Sequence, residues 1–529
     1  MGTKQFDSAT DLITFTRASG GTALRKVSYG SELVTNGDFA TDTNWTKETG
    51  WTISGGKASF VSSGSGNRNL RQAISLTVGK VYYFSYDVLS ISAGEVSLRL
   101  GGMAGVNEIS ATTTGSFSGT IVPTGSANGE ILIEDNSNSF VGSIDNISVK
   151  EVTFDQPDGT LQLFNSPANV PRIEYNADGT VKGLLIEEAR TNLVTNSTLS
   201  GSWSGGGWVR TLNATEAPDG TNTAVKIVWD ATTAYHTIFN TYNVNAQQAY
   251  TRSVYVKASG ISWIYLQHYD AGGGASDNGG VYFDIANGVK GVEASGTTGL
   301  IENVGNGWYR CSVAYTTSVS TTTERLQISF TTGDNVSPNN LTGDNVSGVF
   351  LYGAQLEAGA FPTSYIPTTG STATRAADVA TIPVSAFGYN SDAGSILVEA
   401  QRFGTNNYPR SVMIDAGSES DSISLGAWGS TTSLTALIKV GSVKQADMFL
   451  GPVGTSAFKN SIAYKENDFA ASRDGNTVLT DTSGTVPTGM TTLTIGRNGV
   501  TTQFFNGHIK SIQYYPRRLS NAQLQELTT

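Results

Sequence analysis

Cysteine is nearly absent: the 529-residue chain holds one, Cys311, so no internal disulfide framework exists and folding does not depend on an oxidising compartment. Histidine is almost as scarce. His236, His268 and His508 stand in separate segments without H-E-x-x-H spacing, and a lone histidine on an apolar strand, as His268 is, reads as a core residue. Charged residues make up only 15% of the chain, and the net charge of -11 comes with no basic cluster, which removes the electrostatic footprint of nucleic-acid binding. No apolar run reaches the ~18 to 20 residues of a membrane helix, which argues against membrane insertion. The opening MGTKQFDSATDLITF lacks the apolar segment of a secretory leader, so the chain is expected to be soluble and made without a signal peptide.

What is present favours strands. Sixty-one glycines and long Ser/Thr/Asn stretches separate alternating runs such as VYYFSYDV (81–88), YTRSVYVKA (250–258), SWIYLQHYD (262–270) and SILVEA (395–400). An aromatic content of 9% argues for packed cores rather than disorder. Ala177-Asp178-Gly179 and Arg473-Asp474-Gly475-Asn476 carry hairpin-turn chemistry. One short helix is expected at the end of the chain, with Ser520 as cap, Gln523 completing a capping box, and Leu519 with Leu524 as a hydrophobic staple.

Leu33-Val34-Thr35-Asn36 recurs as Leu193-Val194-Thr195-Asn196, each time followed by a pair of tryptophans (Trp45 and Trp51; Trp203 and Trp208) and a closing apolar strand. Two related β-sandwiches explain the recurrence, and a Pro/Thr-rich linker follows the second. The expected fold class is therefore all-β, with several antiparallel jelly-roll sandwiches in tandem and one short C-terminal helix.

Three stretches resemble known families. LVTNGDFATDTNWTKETGWTISGG with GSIDNISVKEV resembles jelly-roll carbohydrate-binding modules. ITFTRAS (13–19), ANVPRIEYNADGTVKGLLIEEARTNLV (168–194) and YGAQLEAGAFPTSYIPTTGSTATRAADV (352–379) resemble the frame of bacteriophage tail-fibre and head-spike proteins. LTIGRN with FFNGHIKSIQYYPRRLSNAQLQEL is similar to the last strands and helix of concanavalin A-like, laminin-G-like sandwiches. The resemblance implies an N-terminal attachment segment (1–32), an inserted jelly-roll (33–152), a hairpin continuing the frame (153–192), a second jelly-roll (193–360), a linker (361–385) and a laminin-G-like sandwich (386–529). It also implies a virion surface appendage, assembled in the host cytoplasm and released by lysis. Its partners would be host surface polysaccharide, other virion proteins and further copies of itself, a trimer being the expected symmetry. A capsid head spike or decoration protein is the structural alternative.

Sugar recognition needs flat aromatic faces flanked by groups that hydrogen-bond hydroxyls. In SWIYLQHYD the strand period of two puts Trp263, Tyr265, Gln267 and Tyr269 on one face and Ile264, Leu266 and His268 on the other, the apolar set reading as core. The first set is a candidate glycan-binding stripe. Trp45 and Trp51 straddle the polar segment Thr46-Lys47-Glu48-Thr49-Gly50, either displaying their rings at a loop tip or closing the end of the sandwich, the second being the favoured reading. Tyr82, Phe84 and Tyr86 sort together as core.

Catalytic signals are missing. No G-x-S-x-G elbow occurs, and Gly201-Ser202-Trp203-Ser204-Gly205 has tryptophan at the nucleophile position. The E-x-D-x-x-E cluster of a sugar-cleaving concanavalin-like fold is lacking, and Glu187 and Glu188 diverge, so a capsule depolymerase is disfavoured and no enzyme is expected. Ala271-Gly272-Gly273-Gly274 and Ser54-Gly55-Gly56 read as hairpin tips, not phosphate cradles. The duplicated loops Thr332–Ser337 and Thr342–Ser347 offer aspartate and asparagine oxygens. The resemblance permits a structural calcium, which takes such ligands, but turn chemistry explains the same residues, and no cofactor is expected.

Overall fold

The computed structural model describes residues 12–61, 68–101, 108–123, 129–135, 139–271, 278–404, 410–427, 433–452, 454–498 and 503–529. The string Gly272–Gly274 lies outside them. Tandem antiparallel β-sandwiches make up the chain, with one α-helix among the described residues. Two compact units divide it: one holds the segment up to Arg25 together with Leu161–Thr529, and the other is Lys26–Thr160.

In the Lys26–Thr160 unit, a sheet running Gly115–Ile121, Val81–Ala93, Val141–Phe154 faces a second one ordered Thr46–Lys47, Asn69–Ala73, Glu130–Asp135, Val96–Leu100, Glu108–Ala111. Strand pleating directs Tyr82, Phe84 and Tyr86 inward, where they join Leu98, Ile133 and Val149 in one core. Each such side chain contributes about 1.5–3 kcal/mol of burial.

The second sandwich pairs two six-stranded sheets. The first is ordered Ser204–Gly206, Thr237–Asn243, Thr323–Thr331, Trp263–Asp270, Gly279–Asp284, Val289–Glu293. The second is ordered Trp208–Thr215, Ala224–Trp229, Gly348–Ala358, Ala249–Ser259, Trp308–Thr316, Thr298–Gly305. Val34 and Val194, from the recurring Leu-Val-Thr-Asn, sit in the cores of their respective sandwiches. On the outward side of the second sheet, Tyr255, Trp308 and Tyr352 pack with Leu163 and Tyr365, so that face is occupied.

The C-terminal sandwich reaches beyond residues 386–529. One of its seven-stranded sheets begins with Thr14–Thr16, paired with Val379–Pro383, and the other begins with the hairpin Ile173–Tyr175 and Val181–Ile186, which docks on Gly507–Tyr515. Phe15, Leu184 and Ile186 accordingly share a core with Ile396, Ile414 and Ile462. The frame segments are thus structural strands of this sandwich. Local periodicity marks a strand but not its long-range partner, so the sequence places these segments outside the domain they complete. Ser520 caps the helix Asn521–Leu527 with the full capping box, and Leu519 and Leu524 bury together against Leu397 and Ala463. Asp474 and Gly475, both at positive φ, turn the hairpin between Phe469–Arg473 and Leu479–Asp481.

The same frame segments converge on a buried ion cluster. Arg17, Arg172, Arg375, Glu187 and Asp378 are each 1% exposed or less. Arg172 Nη2 donates to Glu187 Oε2 at 2.8 Å and to Asp378 Oδ2 at 2.6 Å; Arg17 Nη1 reaches Asp378 Oδ1 at 3.2 Å; Arg375 Nε lies 3.5 Å from Glu187. Ser364 adds its backbone N–H and its hydroxyl to Glu187, both at 2.7 Å. Burial alone would raise the Glu187 carboxyl, but Arg375, Arg172 and the Ser364 bonds outweigh it and hold it down at about 2.

Two outcomes follow. Arg172→Met leaves Glu187 and Asp378 short of a buried cation and is expected to cost about 3–5 kcal/mol, read as a lower urea midpoint. Because the folded Glu187 pKa is depressed, its contribution is complete above the ordinary 4.5 and drains away as pH falls toward about 2. Glu187→Gln should flatten that acid limb in a pH series of unfolding.

Candidate functional site

The strand Trp263–Asp270 alternates half-buried and buried without interruption. Ile264, Leu266 and His268 point into the sandwich, His268 stacking on Tyr315 with centroids 4.0 Å apart. Trp263, Tyr265, Gln267 and Tyr269 lie on the opposite face, each partly exposed. Six steps of ~3.3 Å from Trp263 to Tyr269 spread this stripe over about 20 Å.

Neighbouring strands complete the face. In register, Tyr265 opposes Tyr282 on one side and Ser329 on the other, while Gln267 opposes Gly280 and Gln327. The rings of Tyr265 and Tyr282 stack with centroids 4.2 Å apart and planes 15° from parallel. Glycine at 280 makes room: a Cβ there would come within 2.4 Å of the Leu266 carbonyl oxygen and 3.0 Å of the Tyr265 ring. Trp263 lies against Gly291, where a Cβ would approach its ring to 2.9 Å, and Asp334 fixes that spot by accepting from the Val292 N–H at 2.7 Å.

Beside the rings, on the same sheet face, lies a polar patch. Gln267 Oε1 accepts from the Tyr235 hydroxyl at 2.6 Å, from Ser329 Oγ at 2.6 Å and from Gln327 Nε2 at 3.0 Å, and Gln327 also donates to the Tyr235 oxygen at 2.8 Å. Ser329 and Gln327 are buried, so this network fixes the amide of Gln267 in place. Its Nε2 donates to no described residue. Nor do the Tyr265, Tyr269 and Tyr282 hydroxyls or the Trp263 indole N–H bond to any described residue, so the face carries unfilled donors beside flat rings. Burial, reinforced by Tyr282 and Tyr235, pushes the Tyr265 hydroxyl up to about 12, which keeps it a donor at neutral pH.

Tyr282, Tyr235, Gln327 and Ser329 are members of this site that sequence reasoning missed. Alternation alone groups Arg325, Gln327, Ser329 and Thr331 on one face of their strand, but only the register puts them beside Tyr265 and Gln267.

Trp45 and Trp51 do not join a binding face. They are 8% and 5% exposed and lie in the core of the first sandwich, Trp45 against Phe39 and Trp51 against Phe60. Thr46–Lys47 pairs with one sheet and Trp51–Ile53 with the other, so the chain crosses the end of the sandwich and both rings fall inside. Their indole N–H groups donate to the carbonyls of Asn36 and Arg68. The display reading is thereby corrected in favour of closure.

The duplicated loops spend their aspartates on backbone. Asp344 accepts from the N–H groups of Val346 and Ser347, and Asp334 from that of Val292. Among the described residues no group of three or more His, Cys, Asp or Glu side chains is placed to hold a metal ion. Gly55 and Gly56 turn the hairpin between Trp51–Ile53 and Ala58–Val61 at positive φ. Cys311 is buried, which pushes its thiol far above the ordinary range and leaves it inert.

A cavity of about 800 Å³ lies elsewhere, lined among others by Glu174, Asp178, Lys182, Glu187 and Glu302. Each of its carboxylates has a partner. Glu174 meets His508 at 2.5 Å, Glu302 meets Lys182 at 3.5 Å, Asp178 takes two bonds from Thr180, and Glu187 belongs to the ion cluster.

No protein-family description matches the chain, and no curated protein sequence does. Among solved structures, similarity is found to a carbohydrate-binding module, CBM40, of a Ruminococcus gnavus IT-sialidase bound to α2,3-sialyllactose, at 16% identity and a TM-score of 0.24, covering 27% of this chain and 87% of that one. The tandem CBM22 domains of Paenibacillus barcinonensis Xyn10C match at 11% identity and a TM-score of 0.22, covering 62% and 98%. Mouse laminin α1 LG4–5 matches at 10% identity and a TM-score of 0.20, covering 60% and 92%. The likeness is slight at these scores; the sandwich assignment rests on the chain's own sheets.

Gln267→Leu removes the acceptor shared by two buried donors and the half-buried Tyr235 hydroxyl and is expected to lower stability by about 1–3 kcal/mol in thermal unfolding. In ultraviolet pH titration, the step lost in Tyr265→Phe should be centred near 12, well above an ordinary tyrosine.

Proposed function

We propose that the chain is an attachment protein of a bacteriophage virion, tail-borne, whose second sandwich holds host surface glycan on the Trp263–Asp270 face. One observation carries the glycan assignment: a partly exposed stripe of Trp263, Tyr265 and Tyr269 alongside the amide of Gln267, with hydrogen-bond donors that no described residue fills. Aromatic faces take the C–H side of a pyranose and the free donors take its hydroxyls. Such a shallow face binds weakly, and many copies on one particle convert weak contacts into firm adsorption. The virion assignment rests on the likeness of the frame segments to phage tail-fibre and head-spike sequences.

Self-association fits the same reading. The edge strand Trp208–Thr215 leaves Val209 58% and Leu212 45% exposed, and an unpaired apolar edge is a liability that a symmetric trimer would cover. Light scattering on the purified chain is expected to return three times the monomer mass; a monomer removes the trimer.

Glycan arrays and whole-cell adsorption test the central assignment. The wild-type protein should bind at least one host polysaccharide, with Trp263→Ala and Tyr265→Ala each weakening it up to about tenfold, the scale of ~0.5–1.5 kcal/mol per stacked ring. Blank arrays together with blank adsorption would overturn the proposal. Immunogold labelling of particles should mark the tail; labelled heads would favour a head spike.

A further inference from the structure

The Tyr269 end of the stripe holds a cation that the proposed glycan site leaves unused. Arg325 directly opposes Tyr269 in the strand register, and its guanidinium carbon sits 4.6 Å from the centroid of Tyr269 and 4.3 Å from that of Phe239. Both rings contact the cation, which lies on the same sheet face as Gln267 and Tyr265. Carboxylates nearby serve other groups. Glu324, the preceding residue, points to the opposite side of the strand, where it is 3.5 Å from Arg252 and accepts from the Tyr269 backbone N–H at 3.0 Å. Arg325 itself makes no ion pair and no side-chain hydrogen bond with any described residue, and its Nε is buried without a partner.

This arrangement is unusual for the chain. Arg17, Arg172 and Arg252 are all matched to carboxylates in the interior, whereas Arg325 is partly exposed, immobilised by two rings, and unmatched. Contact with two aromatic rings orders the guanidinium, and with Nε buried its two Nη groups are left to take a carboxylate through two parallel bonds. The ring contacts also lower the entropy cost of forming them, because the side chain is already ordered.

We infer that Arg325 forms an anionic subsite at the Tyr269 end of the stripe and that the polymer bound there is an acidic polysaccharide, its carboxylate on Arg325 and its rings along Tyr265 and Trp263. The inference rests on the glycan-binding reading and sharpens it to one chemical class.

The test uses the full chain and matched pairs of polymers: uronic- or sialic-acid-containing capsular polysaccharides, each beside its carboxyl-reduced form. The acidic member of at least one pair should bind about tenfold or more tightly than its reduced partner, the scale of one charge-assisted bidentate contact. Raising the salt concentration should shrink that ratio. Arg325→Gln should bring it close to one, and Arg325→Lys, which keeps the charge but not the fork, should restore part of it. Equal binding of acidic and reduced members by the wild-type protein overturns the subsite while leaving glycan binding standing. So does a ratio that survives Arg325→Gln. Binding to none of the polymers, acidic or neutral, removes the subsite and the glycan reading together.

Discussion

Five buried charges hold the frame of this protein in place. Arg17, Arg172, Glu187, Arg375 and Asp378 come from segments up to 361 residues apart, yet they share one dry cluster in which every carboxylate oxygen is taken. Such clusters add little net stability, since desolvation offsets most of the attraction. Their consequence is mutual dependence. Removing one member strands the others, so the N-terminal strand, the Ile173–Ile186 hairpin and the linker after the second sandwich are fixed as a set. The three frame segments, 13–19, 168–194 and 352–379, carry these five residues.

That constraint decides which surface of the second sandwich is left uncovered. Ser364 bonds Glu187, and the next residue, Tyr365, packs on Tyr255 and Tyr352 from the outer side of one sheet. Frame and linker therefore consume that side. The outer side of the opposite sheet carries Trp263, Tyr265 and Tyr269 instead, flanked by the hydrogen-bonded Gln327, Ser329 and Tyr235. The proposed binding face stands on paired strands with a hydrogen-bonded polar patch beside its rings, an arrangement that presets ring orientation before any ligand arrives.

Much of this was legible locally. A strict period of two in SWIYLQHYD separates the core set from the stripe, and the structure has the same division, residue by residue. The capping box at Ser520 and the Asp474-Gly475 turn are likewise short-range signals, each written within a few residues. Signals that span the fold were not legible. Trp45 and Trp51 are buried because the chain crosses between sheets there, and nothing in Thr46–Gly50 records that crossing. The partners of Tyr265, namely Tyr282 and Ser329, depend on register, which periodicity leaves open. The strands Thr14–Thr16 and Val181–Ile186 complete a sandwich whose other strands lie some hundreds of residues away, a pairing set by tertiary packing alone.

Hydrogen–deuterium exchange on the full chain, with and without the capsular polysaccharide of an adsorbing host, tests the central claim most directly. The account predicts ligand-dependent protection concentrated in Trp263–Asp270 and its partner Thr323–Thr331, with little change in the C-terminal sandwich. Protection confined to other strands, with these two unchanged in the presence of bound polysaccharide, would contradict it.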